Sequence, residues 1–185
     1  RTLKGVSRAP RQPGGNGVHM MTRIDARDRL IVALDVPSAA EADALVARMG
    51  DQVRFVKVGL ELYTVAGPDI VRKLVDRGKR VFLDLKFLDI EETVRRATAR
   101  VAAMGATFLT VHANRKALIA AVQGRGSSDL KLLAVTVLTN FDGEDLREMG
   151  IQRSVQDLVT ARAMLAAEVG CDGVVASGEE PQAIR

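Results

Sequence analysis

Six short, almost wholly apolar runs, separated by stretches of helical periodicity, constrain this chain more than any other feature. They lie at residues 30–35, 53–58, 80–85, 107–111, 131–138 and 173–176. A strand with one wet face alternates apolar and polar residues. Runs that are apolar throughout belong to parallel strands covered on both faces by helices. The intervening segments carry helix signals. Ser38 and Glu41 form a capping-box pattern that opens a helix over 38–49, stopped by Gly50. Gly67-Pro68 opens a second helix, ending near Gly78. A third covers 90–104 and closes at Gly105, and a fourth covers about 114–123. Ser154 and Asp157 cap a fifth, which runs to Val169 and closes at Gly170. The chain is therefore an α/β protein built from repeated strand–helix units.

Two architectures satisfy that pattern: an open doubly wound sheet and a (β/α)8 barrel. An open nucleotide-binding sheet places a glycine-rich turn after its first strand. Here the turn is Asp35-Val36-Pro37-Ser38, without glycine. In a barrel, functional residues gather at the C-terminal ends of several strands. Asp35, Lys57, Asp84, Lys86, His112, Thr136, Thr139 and Ser177 fall there. The pattern predicts a TIM barrel, truncated after about six strands.

Charge and composition exclude several classes. The chain has 185 residues, with 27 Lys and Arg against 23 Asp and Glu. Arg1, Lys4, Arg8 and Arg11 account for the whole excess of +4, and no acid stands among residues 1–19. Residues 20–185 thus balance to zero, which argues against a nucleic-acid-binding face on the folded domain. The Gly-, Pro- and Arg-rich start reads as a disordered basic leader over 1–21, with the domain at 22–185. Met20 or Met21 is the expected natural start. No apolar stretch approaches the roughly 20 residues that span a bilayer. One cysteine, Cys171, allows no internal disulfide, and two histidines leave no Cys- or His-clustered metal site. The lone cysteine and the lack of a signal-peptide pattern predict a cytoplasmic setting.

The segment Val81-Phe82-Leu83-Asp84-Leu85-Lys86-Phe87-Leu88-Asp89 carries the chemistry. Asp84 and Lys86 are two apart on a strand and point to the same side, while Leu83 and Leu85 point to the helices. Lys57 sits the same way within Phe55-Val56-Lys57-Val58, and Asp89 stands where the next helix begins. A barrel interior is normally filled with Val, Ile and Leu. Charges there are costly unless paired. Two lysines and two aspartates on one strand-end face can neutralise each other in alternation. A lysine among carboxylates stays protonated and suits a general acid. A purely structural ion-pair network is the competing reading of the same residues.

These residues resemble the orotidine 5′-phosphate decarboxylase family. The hallmark is Asp-x-Lys-x-x-Asp followed by Ile and, four residues after the last Asp, Thr; here Asp84, Lys86, Asp89, Ile90 and Thr93. Ala33-Leu34-Asp35, Val56-Lys57-Val58-Gly59, Val111-His112-Ala113, the run from Val135 to Thr139 and the run from Asp172 to Ser177 match in order. The resemblance implies decarboxylation of orotidine 5′-phosphate to UMP, the last step of de novo pyrimidine synthesis. It implies Lys86 as the proton donor to C6 and Asp84 as the carboxylate set against the substrate carboxylate. Lys57 links the ribose hydroxyls to the charge network, and Asp35 binds ribose. Asp89 and Thr93 reach into the neighbouring subunit's site, which implies a homodimer. Thr139 and Ser177 face the pyrimidine. No metal and no organic cofactor is implied.

The departures are local. Leu88 and Glu91-Glu92 replace the His and Pro-Asn usual around Asp89, and Asn140 replaces a Ser after the fifth strand. The sequence ends at Arg185, before the Pro-Gly-Ile-Arg-like and Gly-Arg segments that grip the phosphate. A C-terminally truncated piece that binds substrate weakly is therefore expected, and an inactive fragment is one alternative. The other is a Mg-dependent hexulose-phosphate synthase or keto-gulonate-phosphate decarboxylase, which typically continues with Ala-Gly where Ile90-Glu91 stands here. His112 and Cys171 are read as structural, His112 as a strand-end histidine satisfied by hydrogen bonds. Residues 124–128 are read as a loop.

Overall fold

The computed structural model describes residues 25–175. The basic leader and Ser177 lie outside the described residues. Six strands form one sheet in the order β1-β2-β3-β4-β5-β6: Ile31–Ala33, Phe55–Gly59, Arg80–Phe87, Phe108–His112, Lys131–Val135 and Gly173–Val175. Every neighbouring pair is parallel. Sequential parallel order with helices between successive strands is the winding of a (β/α)8 barrel, and six of its strands are present among the described residues.

The apolar runs form this sheet because alternate residues bury against the helices. Val56, Val58, Val81, Leu83, Leu109, Val111, Leu132 and Ala134 are all buried in one core with Leu34. The helices are α1 (Ala26–Arg29), α2 (Ala39–Met49), α3 (Leu60–Ala66), α4 (Asp69–Asp76), α5 (Glu91–Ala103), α6 (Arg115–Arg125), α7 (Gly143–Glu148) and α8 (Val155–Glu168). Ser38 caps α2 by accepting the Glu41 N–H at 3.2 Å, and its hydroxyl donates to Glu41 Oε1 at 3.0 Å. Ser154 does the same for α8 through Asp157. Both caps follow the sequence expectation.

The structure departs from the sequence reading in four places. A helix, α3, starts directly after β2. Gly67, at φ +66°, ends it and hands over to α4. The predicted fifth strand stops at Val135. Arg162 Nη1 donates to the Thr136 carbonyl at 2.5 Å, and the chain leaves the sheet. Val137 then buries in a separate small core with Leu146, Leu158 and Val159, which supports the unpredicted α7. Gly124 and Arg125, read as loop, belong to α6. Here Gly124 lets α6 press against α5: a Cβ at Gly124 would lie 2.2 Å from the Arg95 carbonyl oxygen.

Candidate active site

The parallel register stacks the inward-facing residues in layers. Phe55 opposes Arg80, Lys57 opposes Phe82, Gly59 opposes Asp84 and Phe82 opposes Phe108. The layer towards the strand starts is aromatic. Phe55 stacks on Phe108 with centroids 5.1 Å apart, Phe82 meets Phe108 edge-on at 5.9 Å, and the Arg80 guanidinium lies 4.6 Å from the Phe55 centroid. This layer forms an apolar floor. Above it, towards the strand ends, the inward residues are Lys57, Asp84, Lys86, Thr110 and His112.

Four of the charges form a continuous chain. Lys57 Nζ donates to Asp35 Oδ1 at 3.2 Å and stands 3.8 Å from Asp84 Oδ2. The longer separation is a charge contact rather than a hydrogen bond. Lys86 Nζ donates to Asp84 Oδ1 at 3.0 Å, and the Thr110 hydroxyl donates to the same oxygen at 2.9 Å. The order is therefore Asp35–Lys57–Asp84–Lys86, acid and base alternating. The Asp84 side chain is 16% exposed and that of Lys86 38%. Asp84 is thus a fixed carboxylate with an ammonium on each side, while Lys86 keeps donor capacity towards the open side. Gly59 makes room for this: a Cβ there would come 3.3 Å from Asp35 Oδ1 and 3.6 Å from Lys57 Nζ.

Lys86 is the one non-glycine among the described residues with positive φ, at +50°. A left-handed backbone on an ordinary L-residue costs roughly 1–2 kcal/mol. It coincides with a break in strand pairing. Leu83 pairs with Leu109 and Phe87 with Val111, so β3 spends two more residues than β4 between those pairs. Strain of this kind clusters at functional sites.

The remaining predicted site residues stand apart from the network. Asp89 is exposed, and its carboxylate accepts the Ile90 N–H at 2.7 Å. Within one chain it is Asp35, rather than Asp89, that completes the alternation. Thr93 is exposed in the first turn of α5 and Thr139 is exposed in the turn after β5. Among the described residues the His112 ring makes no hydrogen bond, contrary to the sequence reading. It borders a cavity of about 260 Å³ lined also by Leu88, Asn114, Thr136, Leu138 and Arg162. Burial, reinforced by Arg162 and Lys86, holds the His112 pKa below its usual 6.5. Sequence reasoning missed Thr110 and Arg162. The signal for Thr110 was present: it is a polar residue at an inward position of an otherwise apolar strand.

Comparison with known proteins fits this arrangement. Residues 28–185 match a family model described as orotidine 5′-phosphate decarboxylase / HUMPS family. The chain belongs to this family. The orotidine 5′-phosphate decarboxylase of Nitrobacter winogradskyi is 55% identical over 160 residues, covering 86% of this chain and 67% of that relative. That of Rhodopseudomonas palustris is 49% identical over 166 residues, covering 90% and 71%. The crystal structure of the Lactobacillus acidophilus orotidine 5′-phosphate decarboxylase superposes with a TM-score of 0.79 at 37% identity. It covers 84% of this chain and 74% of that one. The family relatives named here are carboxy-lyases, and the fold they share with this chain is the barrel predicted from its strands.

Proposed function

We propose that this chain carries the decarboxylation of orotidine 5′-phosphate to UMP. The observation that carries the reading is the alternating chain Asp35–Lys57–Asp84–Lys86 at the strand ends of a family member. In the proposed step the C6–carboxylate bond breaks and CO2 departs. The electron pair stays at C6, and Lys86 Nζ delivers a proton to it. Solvent then reprotonates Lys86. Asp84 faces the departing carboxylate, and the fixed ammonium groups favour the charge that develops at C6. Asp35 and Lys57 hold the ribose hydroxyls. Thr139 and Ser177 contact the pyrimidine. No metal or organic cofactor takes part.

The working unit in this reading is a homodimer in which Asp89 and Thr93 enter the partner's site. Its support is that Leu88 and Ile90, which flank Asp89 in sequence, are 58% and 73% exposed, and large apolar side chains left in water beside a site residue fit an interface. Among the described residues no helix is long and apolar enough to cross a membrane. A cytoplasmic setting follows from the pathway the reading implies.

The test is release of CO2 from orotidine 5′-phosphate by the chain and by Lys86→Ala. A general acid contributes about 10²–10⁴-fold, so the variant loses that much in kcat. An alanine variant at the parent rate sinks the proton-donor role. Insensitivity to EDTA separates this activity from the Mg-dependent hexulose-phosphate synthase and keto-gulonate-phosphate decarboxylase. Absence of turnover in the parent leaves the inactive-fragment alternative.

A further inference from the structure

The break in β3–β4 pairing leaves Asp84, Leu85 and Lys86 opposite a single residue, Thr110. In a regular parallel ladder the backbone N–H of such a residue would find a carbonyl on a neighbouring strand. The Lys86 N–H finds a side chain instead: it donates to Thr110 Oγ1 at 2.9 Å. The same hydroxyl donates to Asp84 Oδ1 at 2.9 Å. Thr110 is fully buried. A hydroxyl has one proton to give and lone pairs to receive. Here the proton goes to the carboxylate and a lone pair takes the lysine's own amide. One oxygen therefore holds both members of the Asp84–Lys86 pair, one by its side chain and the other by its backbone.

That bond also bears on the left-handed conformation at Lys86. A lysine stays at φ +50° only where its surroundings over-determine it. Below the break, β3 is held in register by β2 and β4. At the break itself, the Thr110 hydroxyl supplies the bond the ladder has lost. We propose that Thr110 is the positioning residue of this site, its hydroxyl fixing the β3 bulge that presents Lys86 Nζ and orients Asp84. The consequence for catalysis rests on the decarboxylase reading, and the local structural consequence does not.

The experiment compares the full chain with Thr110→Ser, which keeps the hydroxyl, and Thr110→Val, which keeps the shape without it. Thr110→Ala serves as a second hydroxyl-free variant should the valine variant fail to fold. Amide hydrogen exchange at Lys86 is read first, with the amides of Leu34 and Lys131, which donate to the Lys57 and Thr107 carbonyls, as controls. The Lys86 amide is expected to exchange slowly in the parent and the serine variant and at least tenfold faster without the hydroxyl, the controls being unchanged. Equal protection with and without the hydroxyl overturns the proposal, and so does an unprotected Lys86 amide in the parent. Decarboxylation is read second. The hydroxyl-free variant is expected to lose at least tenfold in kcat with KM within threefold, and the serine variant to stay within threefold of the parent. A serine variant as slow as the valine variant also overturns it. A parent without turnover refutes the decarboxylase reading alone, and the exchange result then decides the role of Thr110 in the bulge.

Discussion

Replacing Gly124 by alanine tests whether the contact between α5 and α6 is as tight as its geometry requires. The new Cβ would lie 2.2 Å from the Arg95 carbonyl oxygen and 3.0 Å from Thr98 Cβ. A carbon and a carbonyl oxygen rest at about 3.3 Å or more, so the overlap is about 1 Å. The opposing atom is a backbone carbonyl oxygen of α5 and cannot rotate away. The two helices must part, or α6 must shift along its axis. Overpacking of this kind costs typically about 1–3 kcal/mol. Against it stands the gain from alanine over glycine within a helix, about 0.8–1.0 kcal/mol. An overlap of about 1 Å against backbone takes the upper part of the overpacking range, about 2–3 kcal/mol, so the net expectation is a loss of about 1–2 kcal/mol. For a chain of this size each kcal/mol moves Tm by about 2–4 °C, so calorimetry should show a fall of about 2–8 °C. Gly126→Ala is the control: nothing lies within 4 Å of its Cβ, and its φ of +56° leaves backbone strain alone. A Gly124→Ala protein that melts at or above the parent temperature refutes the argument. The result bears on the site as well, because Asp89 and Thr93 are carried by the start of α5.

Two further expectations concern titration and reactivity. Burial and the neighbouring cations lower the His112 pKa in the folded chain, so the unfolded chain takes up this proton first as pH falls. The stabilising effect of a neutral imidazole is complete above 6.5 and declines as pH drops below it. His112→Gln should therefore lose less stability than the parent between about pH 7.5 and 5.5 in urea titrations, and equal losses would count against it. Burial pushes the Cys171 thiol up to about 11. At pH 8 its alkylation by iodoacetamide should run about a hundredfold slower than that of a free peptide cysteine. A rate near that of the free thiol would remove this account of the residue.

The strands were legible because buried parallel strands leave an unmistakable apolar signature, and the caps because Ser38 and Ser154 sit three residues before an acid. The missed elements share a cause. Leu60–Ala66 and Gly143–Glu148 are too short to show helical periodicity. The segment Thr136-Val137-Leu138 is apolar enough to read as strand. It leaves the sheet because Arg162, far off in sequence, takes the Thr136 carbonyl, and because Val137 has a second core to enter. At the site, period-two spacing placed Asp84 and Lys86 on one side, and their 3.0 Å contact agrees. Spacing carries no information on register slips, so neither the bulge nor the strained Lys86 could be read from it.

The layering of the inward face explains why the charges can exist in a barrel at all. Phe55, Phe82 and Phe108 fill the lower layer, so β2, β3 and β4 meet there largely through aromatic contact. The charged layer sits one inward position higher, where Asp84 is partly buried and Asp35 open to water, with side-chain exposures of 16% and 63%. Each ion therefore keeps either a partner or solvent, and none bears a full desolvation cost. The same arrangement sets what the site can do. Lys86 lies on β3, which β2 and β4 pair below it, and its own amide is held by the Thr110 hydroxyl, so its ammonium has a defined position from which to deliver a proton. A loop lysine would have to give up chain entropy to reach that position at every turnover. Here the strained backbone at Lys86 bears the cost once, on folding.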